Sequence, residues 1–347
     1  MSVRSSPLHG LLVVDKPGRQ SAAPPLAPVS IPIFAAATPS ADGSPYLLTS
    51  HDVVARVRRW SGERRIGHTG TLDPLASGVI VLCLGLATRL VEYYQAAPKQ
   101  YYAEIVLGAA TDTYDATGAV VMSAPPPPLT AAQIDDTLAA FRGAVEQQAP
   151  AYSALKQGGV SLHRRARRGE TVEPPARPVN FYAIELLAFA PPDRLALRVA
   201  CSAGAYIRSL AHDLGLALGT AGYLDLLRRE AAGAFTLADA HDLSAIEQAG
   251  RTQQLAELLL PLGAGLTLPQ YVADADALQR FGHGQTVELA PAVGEDADLI
   301  QVYDSAGDLA GIARRLMGTP DHSRWKAEKW LATALKANDP ETYADLR

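Results

Sequence analysis

The alternation and clustering of apolar residues divide the chain into strands and helices before any chemistry is considered. Leu11-Leu12-Val13-Val14 reads as a buried strand that runs through Asp15-Lys16 into the turn Pro17-Gly18. Thr49 or Ser50 caps a helix whose Val53, Val54, Val57 and Trp60 recur on one face, with Arg56 and Arg59 opposite. The continuous apolar run 79–85 predicts a strand buried on both faces, and 87–96 a short helix. Strict alternation over 99–108 puts Tyr101, Ala103, Ile105 and Leu107 on one side of a strand. Residues 129–142 predict an amphipathic helix capped by Thr130, and 181–189 with 195–201 two strands around the turn at 191–194. Ile207, Leu210, Leu214 and Leu218 form one stripe of a helix over 204–218. A strand over 223–229 and two short helices between 243 and 262 follow; beyond Gly263 the texture changes to short strands and turns rich in Asp and Glu.

One stretch breaks this pattern. Residues 19–46 contain six prolines and seven alanines, so neither a helix nor an inner strand persists there. It reads as an exposed insertion, ordered in part by Ile31, Ile33 and Phe34. The 347 residues suggest two domains, with a boundary near 262–266: residues 1–262, then 263–335, then a tail over 336–347. A net charge of −5 argues against a uniformly basic, nucleic-acid-coating surface, yet 150–178 carry Lys156, Arg164, Arg165, Arg167, Arg168 and Arg177 against only Glu170 and Glu173. Two cysteines, Cys83 and Cys201, provide neither a disulfide framework nor a metal-ligand spacing, which fits a reducing cytoplasm. No apolar run reaches the length of a membrane helix.

Candidate chemistry centres on Gly67-His68-Thr69-Gly70-Thr71-Leu72-Asp73-Pro74. A residue before proline is restricted to extended backbone, so Asp73 is a carboxylate with few conformations, set directly before a buried run. The plainer alternative is an Asp-Pro turn. Arg208 lies in the first turn of its helix, where the dipole disfavours a cation; it is either the partner of a nearby anion such as Asp73 or a solvated arginine. Tyr101 stacks on a planar ligand or belongs to the core. His68 is a base or simply a polar loop histidine. The basic segment is a solvated face or, given its interleaved glycines, an arm over a phosphate backbone. No phosphate loop, serine nucleophile elbow or zinc pattern occurs, which favours chemistry without cofactor or metal.

With these residues in place, the chain resembles the TruB family of tRNA pseudouridine synthases. The matching stretches are 10–18 joined to 49–54, the 67–74 motif, 99–108, Tyr152-Ser153-Ala154-Leu155-Lys156, Arg177-Pro178-Val179, Cys201-Ser202-Ala203-Gly204-Ala205-Tyr206-Ile207-Arg208 and Leu227-Arg228-Arg229. Residues 266–331 resemble a PUA domain, a small RNA-binding β-barrel, through Phe281-Gly282-His283-Gly284-Gln285 and Val302-Tyr303-Asp304. The resemblance implies an α+β catalytic domain on a mixed, mainly antiparallel sheet with flanking helices. It implies isomerisation of the T-loop uridine, position 55 of tRNA, without a cofactor. Asp73 would be the catalytic carboxylate, Tyr101 the ring that stacks on the flipped base, Arg208 the partner of Asp73, and Leu227 an apolar pocket wall. His68 would pack against the RNA loop, while Lys156 in the arm and Arg228 meet phosphate. The partner implied is the tRNA T arm, with no membrane and no required protein partner, the chain acting as a monomer. Two departures stand out: the insertion at 19–46, and His163-Arg164-Arg165 where the family more often has an aromatic followed by an acidic residue.

Overall fold

The computed structural model describes residues 8–19, 24–27, 47–153, 174–290, 297–319 and 322–332, with scattered positions between 156 and 170. Strands β1 (Gly10–Lys16), β2 (Ile66–His68), β3 (Ser77–Leu84), β4 (Lys99–Leu107), a β5–β6 hairpin (Ala109–Thr111 and Val120–Ser123), β7 (Gly143–Gln148), a small β8–β9 ladder (Lys156–Gln157 and Val160–Ser161), β10 (Ala176–Ala190), β11 (Arg194–Cys201), β12 (Gly222–Ala232) and β13 (Phe235–Thr236) alternate with helices. Nine of these strands form one sheet in the order β1-β3-β12-β4-β11-β10-β7, with β2 paired to β3 and β13 to β12. Only the β12–β3 pair is parallel, so the sheet is mixed and mainly antiparallel, as expected.

Most of the helices cover one face of the sheet. Helix α1 (Ser50–Ser61) starts at Thr49, which forms a capping box with Asp52, and buries Val53, Val54 and Val57. α2 (Val91–Gln95) follows a 3-10 turn (Gly85–Leu90), and α3 (Ala131–Ala139) begins with a second capping box at Thr130. α4 (Ile207–Ala217) and α5 (Leu243–Arg251) complete the set. The apolar residues of α1, α3, α4 and α5 meet Leu12, Val14, Ile80, Leu82, Ala103, Ile105 and Leu197 in one core, whereas Val91 and Tyr94 of α2 pack on the opposite face. The alternate residues Leu11, Val13, Val79, Val81 and Cys83 point the other way into a second core. That two-sided burial is why β3 reads as an unbroken apolar run.

A second, five-stranded sheet is built by β14 (Gln270–Val272), β15 (Val287–Leu289), β16 (Leu299–Tyr303), β17 (Leu309–Thr319) and β18 (His322–Trp330), in the order β14-β16-β17-β18-β15. It has its own core around Phe281, Ile300, Val302 and Trp325. The expectation of strands and turns alone is corrected here by helix α6 (Ala275–Gly282). Asp274 caps it by accepting from the Ala277 amide at 2.8 Å, so one of the acidic residues of this region is a helix start. α4 begins at Ile207 rather than Gly204, because Gly204 has φ +88° and the chain stays non-helical through Tyr206.

The insertion leaves β1 by pairing with the loop that leads into β3, the Arg19 amide donating to the Leu75 carbonyl. Arg19 Nη1 then reaches the Asp225 carboxylate at 2.6 Å. Leu26 and Ala27 pack on Tyr102, Ala196 and Leu226, and the Leu26 amide donates to Glu104 Oε1 at 3.0 Å. This part of the insertion therefore lies on the sheet face opposite Tyr101 and is docked rather than exposed. Ile31, Ile33 and Phe34 lie outside the described residues, as does most of the basic arm.

The loop that leads into β3 is held from two sides. Lys16 Nζ, fully buried, donates to the carbonyls of Pro17 (2.9 Å), Pro74 (3.2 Å) and Ala76 (2.6 Å). Ser50 Oγ donates to the Leu72 carbonyl and accepts from the Leu72 amide. Burial pulls Lys16 down to about 7, against the upward pull of Asp73. Gly78, at φ +102°, allows β3 to close on β12: a Cβ there would stand 2.2 Å from the Arg229 carbonyl oxygen. Replacing Lys16 by Met strands three carbonyls whose donor is lost. Lys16→Met is expected to lose about 3 kcal/mol of stability, read as a lower urea midpoint with an unchanged m-value.

Candidate active site

Asp73 and Arg208 meet at the floor of a cleft of about 250 Å3 between the 70–73 loop, β4, β12 and the start of α4. Arg208 Nε lies 2.9 Å from Asp73 Oδ2 and Nη2 lies 3.1 Å from Oδ1, a two-point contact that fixes the plane of the carboxylate. Arg208 is 4% exposed and Asp73 29%, so the carboxylate keeps a face toward the cleft while its partner is hidden. The arginine's other donors are also occupied. Nη1 donates to the Thr113 carbonyl and Nη2 to the Tyr152 carbonyl, each at 3.1 Å. Asp115 Oδ2 stands 3.6 Å from Nη1.

Asp115 was not singled out from the sequence. Its Oδ1 accepts from Thr113 Oγ1, the Thr117 amide and Thr117 Oγ1, so the turn at 111–118 is folded around this carboxylate. The available signal was an aspartate flanked two residues away on either side by hydroxyls. Gln147 is a second omission. Its side-chain amide donates to the Tyr206 carbonyl at 2.9 Å and accepts from the Tyr206 amide at 2.8 Å. This clamps the residue that starts α4, two positions before Arg208.

Strand parity sets the cleft walls. Tyr101 on β4 and Leu227 on β12 both face it, with Arg229 directly opposite Tyr101 in the ladder. Arg228 was expected to meet phosphate and is corrected by this geometry: it points to the other face. There it is 1% exposed and paired with Asp15, Nη2 to Oδ2 at 2.8 Å. Counting by two from Leu227 selects Arg229 instead. Lys99 also lines the cleft. His68 on β2 stands outside the lining; its Nδ1 accepts from the Gly70 amide at 3.4 Å, and burial lowers its pKa, with Arg229 and His51 acting in the same direction. Lys156 lies on β8, and its side chain falls outside the described residues.

The site thus presents one oriented carboxylate, a buried ring at Tyr101, an apolar wall at Leu227, and cations beneath them. Burial raises the pKa of Tyr101, so its hydroxyl is protonated at neutral pH. Among the described residues no cluster of His, Cys, Asp or Glu is arranged to hold a metal ion.

Comparison with known proteins identifies relatives over most of the chain. Residues 58–207 match the TruB family pseudouridylate synthase N-terminal domain, and 208–267 the tRNA pseudouridylate synthase B C-terminal domain. The chain is 40% identical over 310 residues to tRNA pseudouridine synthase B of Xanthomonas campestris pv. campestris (strain B100), covering 88% of this chain and 90% of that protein. It is 41% identical over 269 residues to the protein of that name from Dehalococcoides mccartyi (strain CBDB1), covering 77% of this chain and 89% of that one. A similar fold occurs in a chain of the crystal structure of a Cbf5-Nop10-Gar1 complex, with a TM-score of 0.66 at 21% identity over 95% of this chain and 91% of that chain.

Removing the guanidinium leaves Asp73 unpaired, Asp115 without its cation, and two carbonyls without donors. Arg208→Ala is therefore expected to cost about 3 kcal/mol in stability as well as activity. An unchanged melting temperature would contradict the burial of this pair.

Proposed function

The chain belongs to the TruB family of pseudouridylate synthases and is a tRNA pseudouridine synthase; on that premise, we propose that Asp73 carries out the isomerisation of the T-loop uridine at position 55. The observation that carries the site assignment is the Asp73–Arg208 contact at the floor of a cleft walled by Tyr101 and Leu227. The reaction exchanges a bond within one nucleotide: the link from N1 to C1′ breaks, the uracil turns, and C5 is joined to the same carbon. A base within a stacked loop is out of reach of a recessed carboxylate, so the uridine leaves its stack at a cost of a few kcal/mol. Stacking on Tyr101 returns about 1–3 kcal/mol of that.

Two routes suit a carboxylate held as Asp73 is held. In one, an Asp73 oxygen bonds to C1′ as N1 leaves; in the other, Asp73 takes a ribose proton and a glycal forms. In both, uracil is detached with the electron pair of the broken bond. After rotation C5 bonds to C1′, displacing the Asp73 oxygen in the first route, while in the second Asp73 returns its proton to the ribose; the C5 proton then departs and N1 gains one, which completes an isomerisation with no cofactor.

The remaining assignments follow the same reading. Lys156 and the basic arm over 150–178 bind the T-arm backbone, and His68 packs against the RNA loop. Residues 1–262 form the catalytic domain and 263–335 a PUA-like RNA-binding module, a reading supported by the separate five-stranded sheet β14–β18 with its own core and by the Phe281–Gln285 stretch that closes α6. The enzyme acts as a monomer in the cytoplasm. Its described residues contain no helix long and apolar enough to cross a membrane.

Incubation with an unmodified tRNA transcript, followed by chemical mapping, is expected to reveal pseudouridine in the T loop. Absence of that product from folded protein would overturn the proposal. Asp73→Asn is expected to abolish product while tRNA affinity stays within about tenfold; an equal loss of binding would count against the catalytic assignment.

A further inference from the structure

Two buried cations at the cleft have no task in the chemistry above. Lys99 opens β4 and Arg229 sits on β12, and both line the cleft with Asp73 and Tyr101. They are 7% and 2% exposed. Lys99 and Tyr101 share one face of β4, and Arg229 faces Tyr101 across the ladder, so the ring stands among these charges.

Both cations bond only to neutral oxygens. Lys99 Nζ donates to the carbonyls of Gln95 and Ala97. Arg229 Nε donates to the Val79 carbonyl at 2.6 Å and Nη2 to the Gly70 carbonyl at 3.1 Å. Among the described residues neither lies within ion-pair distance of a carboxylate, whereas the other two buried arginines, Arg208 and Arg228, are both paired with aspartates. The two cations also burden one another: burial, then Arg229, pulls Lys99 down to about 8. Buried charge without a counterion is costly, and a pocket that retains two such charges is preorganised for an anion.

Gly70 lies against both cations. A Cβ on Gly70 would meet Arg229 Nη1 at 3.7 Å and Lys99 Cε at 3.9 Å, with nothing else within 4 Å. The side-chain position of Gly70, in the loop that carries Asp73, thus faces both cations in the cleft.

We propose that Lys99 and Arg229 form an anion site that stabilises the detached uracil as its glycosidic bond breaks. The inference rests on the pseudouridine synthase reading. When N1 leaves C1′, its electron pair spreads over N1, O2 and O4 while C1′ is taken up by Asp73 or enters the glycal. Two nearby cations lower the energy of that anion and hold it in the pocket until C5 replaces N1 at the sugar. A nucleotide phosphate is the other anion that substrate brings, and the two sources are separable by experiment.

The test compares uridine with 5-fluorouridine at the target position of a tRNA transcript, under single-turnover conditions with excess enzyme, scoring loss of the N1–C1′ link. Fluorine stabilises the uracil anion through the ring, so dependence on the cations falls. Lys99→Met is expected to slow the uridine substrate about a hundredfold, with tRNA affinity within twofold. Its loss on 5-fluorouridine should be several-fold smaller, and Lys99→Arg should recover most of the rate. Equal losses on both substrates with unchanged affinity would overturn the proposal in favour of a packing role. Weakened affinity with a shallower salt dependence and normal saturated rates would overturn it in favour of a phosphate contact. If Lys99→Met does not fold, Arg229→Gln and Lys99→Gln are judged by the same ratio. Wild-type enzyme that forms no pseudouridine would refute the functional reading itself, a result distinct from all of these.

Discussion

The guanidinium of Arg208 is where four chain segments converge: the 73–77 loop through Asp73, the 111–118 turn through Thr113 and Asp115, the approach to the basic arm through Tyr152, and α4, which carries the arginine. A buried arginine is tolerated only when its donors are satisfied, so each segment is constrained by the same desolvated group. The carboxylate that faces the cleft is thereby oriented by contacts outside it. Lys16 acts on the same loop from the opposite side through backbone carbonyls. The loop's position is thus set by polar contacts at both ends, while Leu72 and Leu75 bury its apolar members.

Much of this was legible in residue order. Apolar runs located β1 and β3, alternation located β4, the turn at 191–194 located β10 and β11, cap chemistry located α1 and α3, and the stereochemistry of Asp73-Pro74 identified an aimed side chain. The unfavourable placement of Arg208 near a helix N-terminus pointed to an anion, and Asp73 is that anion. What the sequence concealed were contacts made by small or ordinary residues at long range. Asp115 resembled a turn residue because its hydroxyl ligands are local, while its arginine lies far along the chain. Gln147 reaches Tyr206 across the start of α4, and no periodicity marks such a clamp. Arg228 and Arg229 are adjacent in sequence, so only strand parity separates a structural ion pair from a cleft residue.

The insertion shows the same division. Its composition announced a segment without regular structure, yet composition carries no information about where such a chain docks. Leu26 satisfies part of Glu104, a carboxylate that also accepts from the Tyr102 hydroxyl and Arg194 on the face away from the cleft. Glu104 would be a heavily desolvated charge without these partners. The added segment helps to cover it and leaves the walls of the cleft that holds Asp73 to other elements.

The second core lies at the seam of the two sheets. Leu11, Val13, Val79 and Val81 share one apolar cluster with Leu309, Ile312 and Leu331, and with Leu262, Leu266 and Leu268 of the connecting segment. Neither sheet can expose its side of that seam without the other losing its cover. The two halves are therefore coupled like neighbouring repeats of a solenoid, whose shared interface makes melting collective. On heating, the sheet that holds the cleft and the sheet beside it share one calorimetric fate, and a chain cut at their junction would bring a newly wetted hydrophobic surface into solution.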